Sequence, residues 1–420
     1  MRRIGEQERL EILMYGPGGN WGLPRYIYDL SKALSEKANI VLATGDDCDR
    51  PGGENLAVKS IWRTPTRYFQ GRPSKHPITE KLVKLVLHTK RNASLLRFLA
   101  RNDYSFDLLH CQFFMPLIDW PSLLAASRRL PVVFTVHNVN FQNPLVRGLD
   151  RIEEWLLKRV LLSSAGLIVH SSSLVSSLRS YLQVFEGPIG CIPHGLPKPV
   201  ASATEPSWLA ELRPVLRGKL VLLQFGGIRP VKGVEVLLAA LRSLPAGIRD
   251  DVHLVIVGKA DRRYPDYGNE CRRLIQGHEL CRTVTWVDRY ISDEDIPWVF
   301  ACADLAVFPY RNYLSASGAL SWAYACQVPV LAADVGALGE YVKQDRTGLC
   351  FRSADFEDLA ACIMKIRSDR CLLAAFRKNL ADPALLQRYD WRRCAALTET
   401  FYRNVLDSSS SQHRCARQAY

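Results

Sequence analysis

The chain has 420 residues, 48% of them hydrophobic and 23% charged, with a net charge of +13. That apolar share excludes a disordered chain, and the length exceeds one ordinary core, so two or three domains are expected. The charged opening, MRRIGEQERLEIL, lacks the apolar stretch of a secretory signal, and no run of about 18 apolar residues follows, so a cytoplasmic chain without a membrane span is expected.

From the amino end, short apolar runs alternate with amphipathic stretches, the pattern of parallel β-α-β units. Strands are expected at residues 10–15, 40–44, 108–111, 132–136, 167–170 and 189–192. A second series is expected at 219–224, 253–257, 284–286, 305–308 and 330–333. Between the series, residues 193–218 carry Pro193, Pro197, Pro199, Pro206 and Pro214, which reads as a linker without regular structure. The expected fold is therefore α/β, with two doubly wound Rossmann-like domains facing a central cleft where ligands of this architecture bind. The expected domains are 1–205 and 206–385, then a helix at 386–407 that crosses back to the first domain, then a disordered polar tail at 408–420.

The first strand leads into YGPGGNWGLPRY, so Gly16, Gly18, Gly19 and Gly22 lie on a strand-to-helix turn. Glycine there lets the backbone approach a ligand, although such turns are often purely steric. The second series opens with FGGIRPVKG, which puts Gly227, Arg229 and Lys232 ahead of a helix. A guanidinium and an ammonium so placed oppose the helix dipole but suit a departing diphosphate. In FPYRNYLSASG, Ser317 and Gly318 open a later helix, where they can cap it, hold a phosphate, or both.

The 12 cysteines stand singly, without the spacing of a zinc site or a disulfide framework. Two DxD strings, Asp47 to Asp49 and Asp293 to Asp295, lack the context of a metal-bound donor site, and SDED reads as a helix cap. No catalytic metal and no cofactor are expected, with cations at the diphosphate instead. Residues 59–101 hold 11 basic residues against one acid, Glu80. A helix from Thr79 with Lys81, Lys84, Lys90 and Arg91 around an apolar face can meet an anionic acceptor or membrane surface, or be an ordinary solvated helix. Nucleic acid is not expected, because the basic residues are not interleaved with aromatics on a recognisable module.

Together GGIRPVKG, FPYRNYLSASG and PVLAADVGALGE, with HCQFF, FTVHNVN, IVHSSS and IPHGL, make the chain resemble the retaining glycosyltransferases of family 4, over about residues 10–406. The resemblance implies the two-domain GT-B fold and a hexosyltransferase acting on a nucleotide-sugar donor, UDP- or GDP-linked, with a glycan or lipid-linked acceptor. It implies that Arg229 and Lys232 hold the donor diphosphate, that Ser317, Gly318 and Ala319 place amides beside it, and that Gly18 and Gly19 face the same phosphates. It also implies that His137 lies beside the transferred sugar and that Glu340 matches a common acid of the donor site. The family's usual two glutamates are replaced by Leu314 and Trp322, as in a subset that reads SG before the helix. A glycan- or lipid-directed enzyme on the inner membrane face is the expectation. An inactive nucleotide- or partner-binding scaffold and a sugar-nucleotide epimerase stay open as rivals.

Overall fold

The computed structural model describes residues 9–19, 22–65, 68, 77–101, 105–139, 148–277 and 280–418, with the side chains of 77–82 and 409–418 left out. The chain divides into two units, one of Met1–Gly195 with Trp391–Tyr420, the other of Leu196–Asp390.

In the first unit the order is β1 (Glu11–Tyr15), α1 (Gly22–Leu34), β2 (Asn39–Gly45), β3 (Leu56–Trp62), α2 (Pro77–Ala100), β4 (Leu108–Cys111), α3 (Pro116–Ser127), β5 (Val132–Thr135), α4 (Asp150–Leu162), β6 (Gly166–Val169), α5 (Ser172–Leu182) and β7 (Ile189–Cys191). The seven strands lie in the order β3-β2-β1-β4-β5-β6-β7, and β1 pairs in parallel with both β2 and β4. Nearly every residue of β1, β4, β5 and β6 is buried, which is why these strands read as continuous apolar runs.

The second unit runs α6 (Ser207–Leu216), β8 (Leu220–Phe225), α7 (Val234–Ser243), α8 (Ala246–Arg249), β9 (Val252–Val257), α9 (Pro265–Gln276), β10 (Val284–Val287), α10 (Ile296–Ala301), β11 (Leu305–Phe308), α11 (Gly318–Ala325), β12 (Val330–Ala333), α12 (Gly336–Asp345), β13 (Gly348–Phe351), α13 (Phe356–Ser368), α14 (Cys371–Leu380) and α15 (Pro383–Arg388). Its six parallel strands take the order β10-β9-β8-β11-β12-β13. One face of that sheet buries Leu222, Leu254 and Val307 against Leu237, Leu241 and Ile363 of α7 and α13.

The last helix, α16 (Trp391–Gln418), belongs to the first unit, where it packs against α1. Phe401, Tyr402 and Val405 join Ile12, Ile40 and Leu108 in that core. Glycines make room for this wedge, since a Cβ on Gly190 would come within 2.9 Å of Phe401 and one on Gly195 within 2.4 Å of Trp391.

Several sequence expectations change. Two strands were not anticipated, β3 and β13, and both are sheet edges, where an exposed side and small residues weaken the apolar signal. Within 193–218 the prolines do not prevent α6, because Pro206 sits at its start and Pro214 near its end. The division falls at Leu196 and Trp391 instead of 206 and 386. Residues 408–418, expected as a disordered tail, continue α16. SDED does not cap a helix through Ser292, since α10 begins at Ile296 and Asp295 accepts from the Ser202 hydroxyl at 3.1 Å.

Candidate functional site

Each sheet has one position where neighbouring strands connect outward in opposite directions, between β1 and β4 in the first unit and between β8 and β11 in the second. Ligands of open parallel sheets sit beyond the carboxyl ends of the strands at such a position. Most of the residues singled out from the sequence follow one of these strands.

In the second unit, β8 ends at Phe225 and the chain turns through Gly226, at φ 118°, and Gly227. A Cβ on Gly227 would have only the Lys259 carbonyl oxygen near it, at 3.9 Å, so this stretch of backbone is open to a ligand. Arg229 then leads into one 3-10 turn, Pro230–Lys232, and Gly233 follows at φ 62°. A Cβ on Gly233 would lie 1.9 Å from the Pro309 carbonyl oxygen, and the Arg311 amide donates to the Val231 carbonyl at 2.9 Å. The turn bearing both cations is thereby fastened to the loop after β11.

Lys232 is only 7% exposed, yet among the described residues it has no carboxylate. Its Nζ lies 3.7 Å from the centre of the Tyr310 ring and 5.1 Å from that of Tyr313. A ring face stabilises an ammonium by about 0.5 to 2 kcal/mol, less than the hydration that a buried amine gives up. Burial first, and Arg229 second, hold the Lys232 amine well below the usual lysine range. Arg229 is half-buried and forms no ion pair among the described residues, although the Asp261 carboxylate, which pairs with Arg263, also senses its charge, whereas neighbouring Arg311 pairs with Glu235 at 2.6 Å. Glu235 also accepts from the Tyr267 hydroxyl, which takes the Val234 amide at 2.9 Å, so the first amide of α7 is already engaged.

The start of α11 is more open. Ser317 caps it, its hydroxyl accepting from the Leu320 amide at 3.3 Å and lying 3.2 Å from the Tyr310 hydroxyl. Gly318 and Ala319 come next, where amides have no carbonyl behind them in the helix, and a Cβ on Gly318 would meet nothing within 4 Å. Arg229, Lys232, the aromatic walls of Tyr310 and Tyr313 and the open start of α11 thus meet at the carboxyl end of this sheet. Glu340 lies half-buried within α12, whose first residue, Gly336 at φ 47°, would with a Cβ come within 2.6 Å of the Tyr313 carbonyl oxygen. Trp322 is buried in α11, so a packed ring occupies the second of the replaced glutamate positions.

In the first unit, Gly18 has a steric reason to be glycine, since a Cβ would fall 2.0 Å from an Asp47 carboxylate oxygen and 3.0 Å from the Gly45 Cα. Gly19 follows at φ 98°. His137, just past β5, gathers with His170 and His194 around Tyr26, and Gln112 links it to a fourth histidine, His110, which packs on Tyr402. Gln112 and Tyr26 were not singled out from the sequence, although HCQFF and IVHSSS contributed to the resemblance. Among the described residues no group of three or more His, Cys, Asp or Glu is placed to hold a metal ion.

The basic helix is only partly as expected. Arg91 is not surface-facing: it is buried, and its guanidinium forms an ion pair with the fully buried Asp119 carboxylate, Nε donating at 3.2 Å. Arg91 lies on the buried face of α2 with Leu87, Leu95 and Phe98, where α3 places a buried acid beside it. Lys90 is exposed and Lys84 half-exposed, while the Lys81 side chain lies outside the described residues.

Two parallel doubly wound units of this kind define the GT-B class. The fold matches sucrose-phosphate synthase from Thermosynechococcus elongatus with a TM-score of 0.69 at 22% identity, covering 95% of this chain and all of that one. It matches HepE from Anabaena, solved with UDP, with a TM-score of 0.62 at 19% identity over 96% of this chain and 100% of that one. The family model described as Glycosyltransferase Family 4 matches residues 22–197, and that described as Glycosyl transferases group 1 matches residues 219–369. A D-inositol 3-phosphate glycosyltransferase of Arthrobacter sp. is 28% identical across 95% of this chain and 94% of its own length. Glycogen synthase of Mycobacterium tuberculosis is 25% identical over 94% of each. The chain belongs to the family 4 glycosyltransferases and is a hexosyltransferase.

Proposed function

We propose that the enzyme is a retaining glycosyltransferase that binds a UDP- or GDP-sugar through Gly227, Arg229, Lys232 and the start of α11, and passes the sugar to a hydroxyl of a glycan or lipid-linked acceptor. The observation that carries this is the buried Lys232 amine without a carboxylate among the described residues, beside the Arg229 guanidinium and the open amides of Gly318 and Ala319. A nucleoside diphosphate supplies the missing negative charge. HepE, a structural neighbour, was solved with UDP and with UDP-glucose, which supports this donor chemistry.

In a retaining transfer the acceptor oxygen bonds to the anomeric carbon on the face that the diphosphate leaves. The bond from that carbon to phosphate oxygen breaks, and the departing phosphate takes the acceptor proton. Arg229 and Lys232 would stabilise the charge that grows on the leaving group, and no carboxylate nucleophile is needed. A thermal-shift titration with UDP-, GDP- and ADP-sugars tests the donor reading, because a ligand bound only by the folded state raises the melting point in proportion to its affinity. One nucleotide class should stabilise the protein, and the shift should vanish in Arg229→Ala. A flat response to all three would defeat the proposal.

For the acceptor, we propose an anionic bilayer as the surface that the first unit meets. Between Lys81 and Arg101 the sequence has no acid, and on α2 Leu85 and Val86 are each 50% exposed. Helix α2 packs on α3 and α3 on α4, whose Arg151, Ile152, Trp155 and Arg159 are all exposed. Residues at these spacings share one helix face, and Trp155, 59% exposed, has the Arg159 guanidinium 5.8 Å over its ring. Indole favours the lipid interface, and each cation near an anionic surface contributes about 1 kcal/mol. The protein should co-sediment with phosphatidylglycerol vesicles and not with phosphatidylcholine ones, and Ile152→Glu with Trp155→Glu should abolish the binding. Equal sedimentation of that variant would remove this surface from consideration.

A further inference from the structure

The histidine cluster has a definite proton arrangement. His170 Nδ1 faces the Ile192 carbonyl oxygen at 2.9 Å, and a backbone carbonyl can only accept, so Nδ1 carries the proton. A neutral His170 then presents a lone pair at Nε2, which lies 3.3 Å from His137 Nδ1. That contact is attractive only if His137 carries a proton on Nδ1. His137 Nε2 lies 3.0 Å from the Gln112 side-chain oxygen.

With His170 neutral, two states satisfy the contacts of His137. In one, His137 is an imidazolium that donates from both nitrogens, to His170 and to the Gln112 oxygen. In the other, His137 is neutral, the Gln112 amide is turned over, and its NH2 donates to the bare Nε2. An amide turn exchanges oxygen and nitrogen without moving the rest of the side chain. The Gln112 oxygen then lies 3.1 Å from His110 Nε2, which also meets the Thr135 hydroxyl at 2.8 Å, and the weak amide contact to Met14 Sδ at 3.5 Å is given up.

The surroundings decide between them. The titratable groups that face His137 are His110, His170, His194 and Tyr26, and no carboxylate reaches it among the described residues. Burial, followed by His170, His194 and His110, holds His137 well below the ordinary histidine range, and burial brings His110 and His170 down to about 3 and His194 to about 4. A cation there would have three imidazoles and a phenol around it and no counterion.

We propose that Gln112 and His170 are positioning residues that hold His137 as a neutral imidazole protonated on Nδ1, with both ring nitrogens engaged by the protein. The role rests on the proposed transfer reaction, in which His137 lies beside the sugar. His137 then shapes the sugar pocket with a fixed ring and is not the base that takes the acceptor proton, in keeping with a proton that leaves with the phosphate.

The test is nitrogen-15 NMR of histidine-labelled full-length protein, read beside kinetics. Wild-type His137 should show a protonated Nδ1 and a bare Nε2 throughout about pH 5 to 8, the range in which free histidine titrates. Gln112→Glu replaces the donor by a group that only accepts, so it should put a proton on Nε2 and make His137 cationic. That variant should keep its donor KM, lose roughly tenfold to a hundredfold in kcat as when an orienting partner of a functional histidine is lost, and gain a pH limb absent from wild type. Gln112→Asn, which keeps the amide, should recover the flat profile. A proton on Nε2 in wild type, or an unchanged pH profile in Gln112→Glu, would overturn the assignment. Because the tautomer is read without substrate, a protein that transfers no sugar would defeat the functional reading and leave the proton arrangement decided separately.

Discussion

Replacing Lys232 by alanine is expected to lower kcat/KM for the nucleotide sugar by about 2 to 4 kcal/mol, roughly thirtyfold to a thousandfold, and Arg229→Ala by a similar amount. The magnitude follows from the position. Lys232 is buried against Tyr310 and Tyr313, where water screens poorly and a charge acts on a developing oxyanion at close to full strength. Lys232 has no carboxylate among the described residues, and the Asp261 carboxylate that senses Arg229 is already paired with Arg263, so removing either cation leaves no carboxylate unpaired. The pH dependence gives a second reading of the same residue. Burial and Arg229 hold the Lys232 amine low in the free protein, and an arriving diphosphate favours the ammonium, so donor binding takes up a proton. Donor affinity should therefore fall as pH rises through the depressed Lys232 pKa, and Lys232→Met should remove that dependence. Near-normal turnover in both alanine variants would mean that the polyanion site has been misassigned.

Asp119→Ala is expected to destabilise the first unit by about 3 to 5 kcal/mol, the usual effect of leaving a buried charge without its partner. The Asp119 carboxylate accepts from Arg91 and from the Met115 amide, the latter at 2.7 Å, and thus closes the start of α3 onto α2. Once it is gone, the Arg91 guanidinium keeps only the ring faces of Trp62 and Phe113, at 5.9 and 5.8 Å. At about 2 to 4 °C per kcal/mol for a unit of this size, the calorimetric transition of that unit should move down by roughly 6 to 20 °C. Arg91→Met combined with Asp119→Leu should recover most of the loss, since apolar residues of similar volume often replace a buried pair without penalty. If Arg91 instead served an exposed acceptor surface, the single change at Asp119 would leave the transition where it was.

The strands that surround each switch position were legible because burial on both faces makes them uniform apolar runs, and β4, β11 and β12 lie where the residues placed them. Edge strands β3 and β13 were not, although edges β7 and β10 were, because exposed Lys59 and Ser60 interrupt β3 and Gly348 and Cys350 leave β13 little apolar bulk. Arg229, Lys232 and Ser317 could be singled out because a glycine-rich strand end followed by cations or a cap is a local pattern. Tyr310 and Tyr313 as a wall for the ammonium could not, because that contact joins two loops that are distant in the chain. Arg91 shows the same limit from the other side: its helical neighbours are basic and apolar, and only the packing of α3 reveals that it is an interior ion.

Helix α16 contributes Trp391, Phe401 and Tyr402 to a core whose strands are all translated before residue 196. On the ribosome, where amino-terminal domains ordinarily fold first, this sheet must wait, half finished, while nearly two hundred further residues of the contiguous second unit emerge, roughly ten seconds or more at ordinary elongation rates. The half made earliest is the half completed last, and a fragment ending near Gly195 would leave the apolar seat of that wedge bare to water and to other nascent chains.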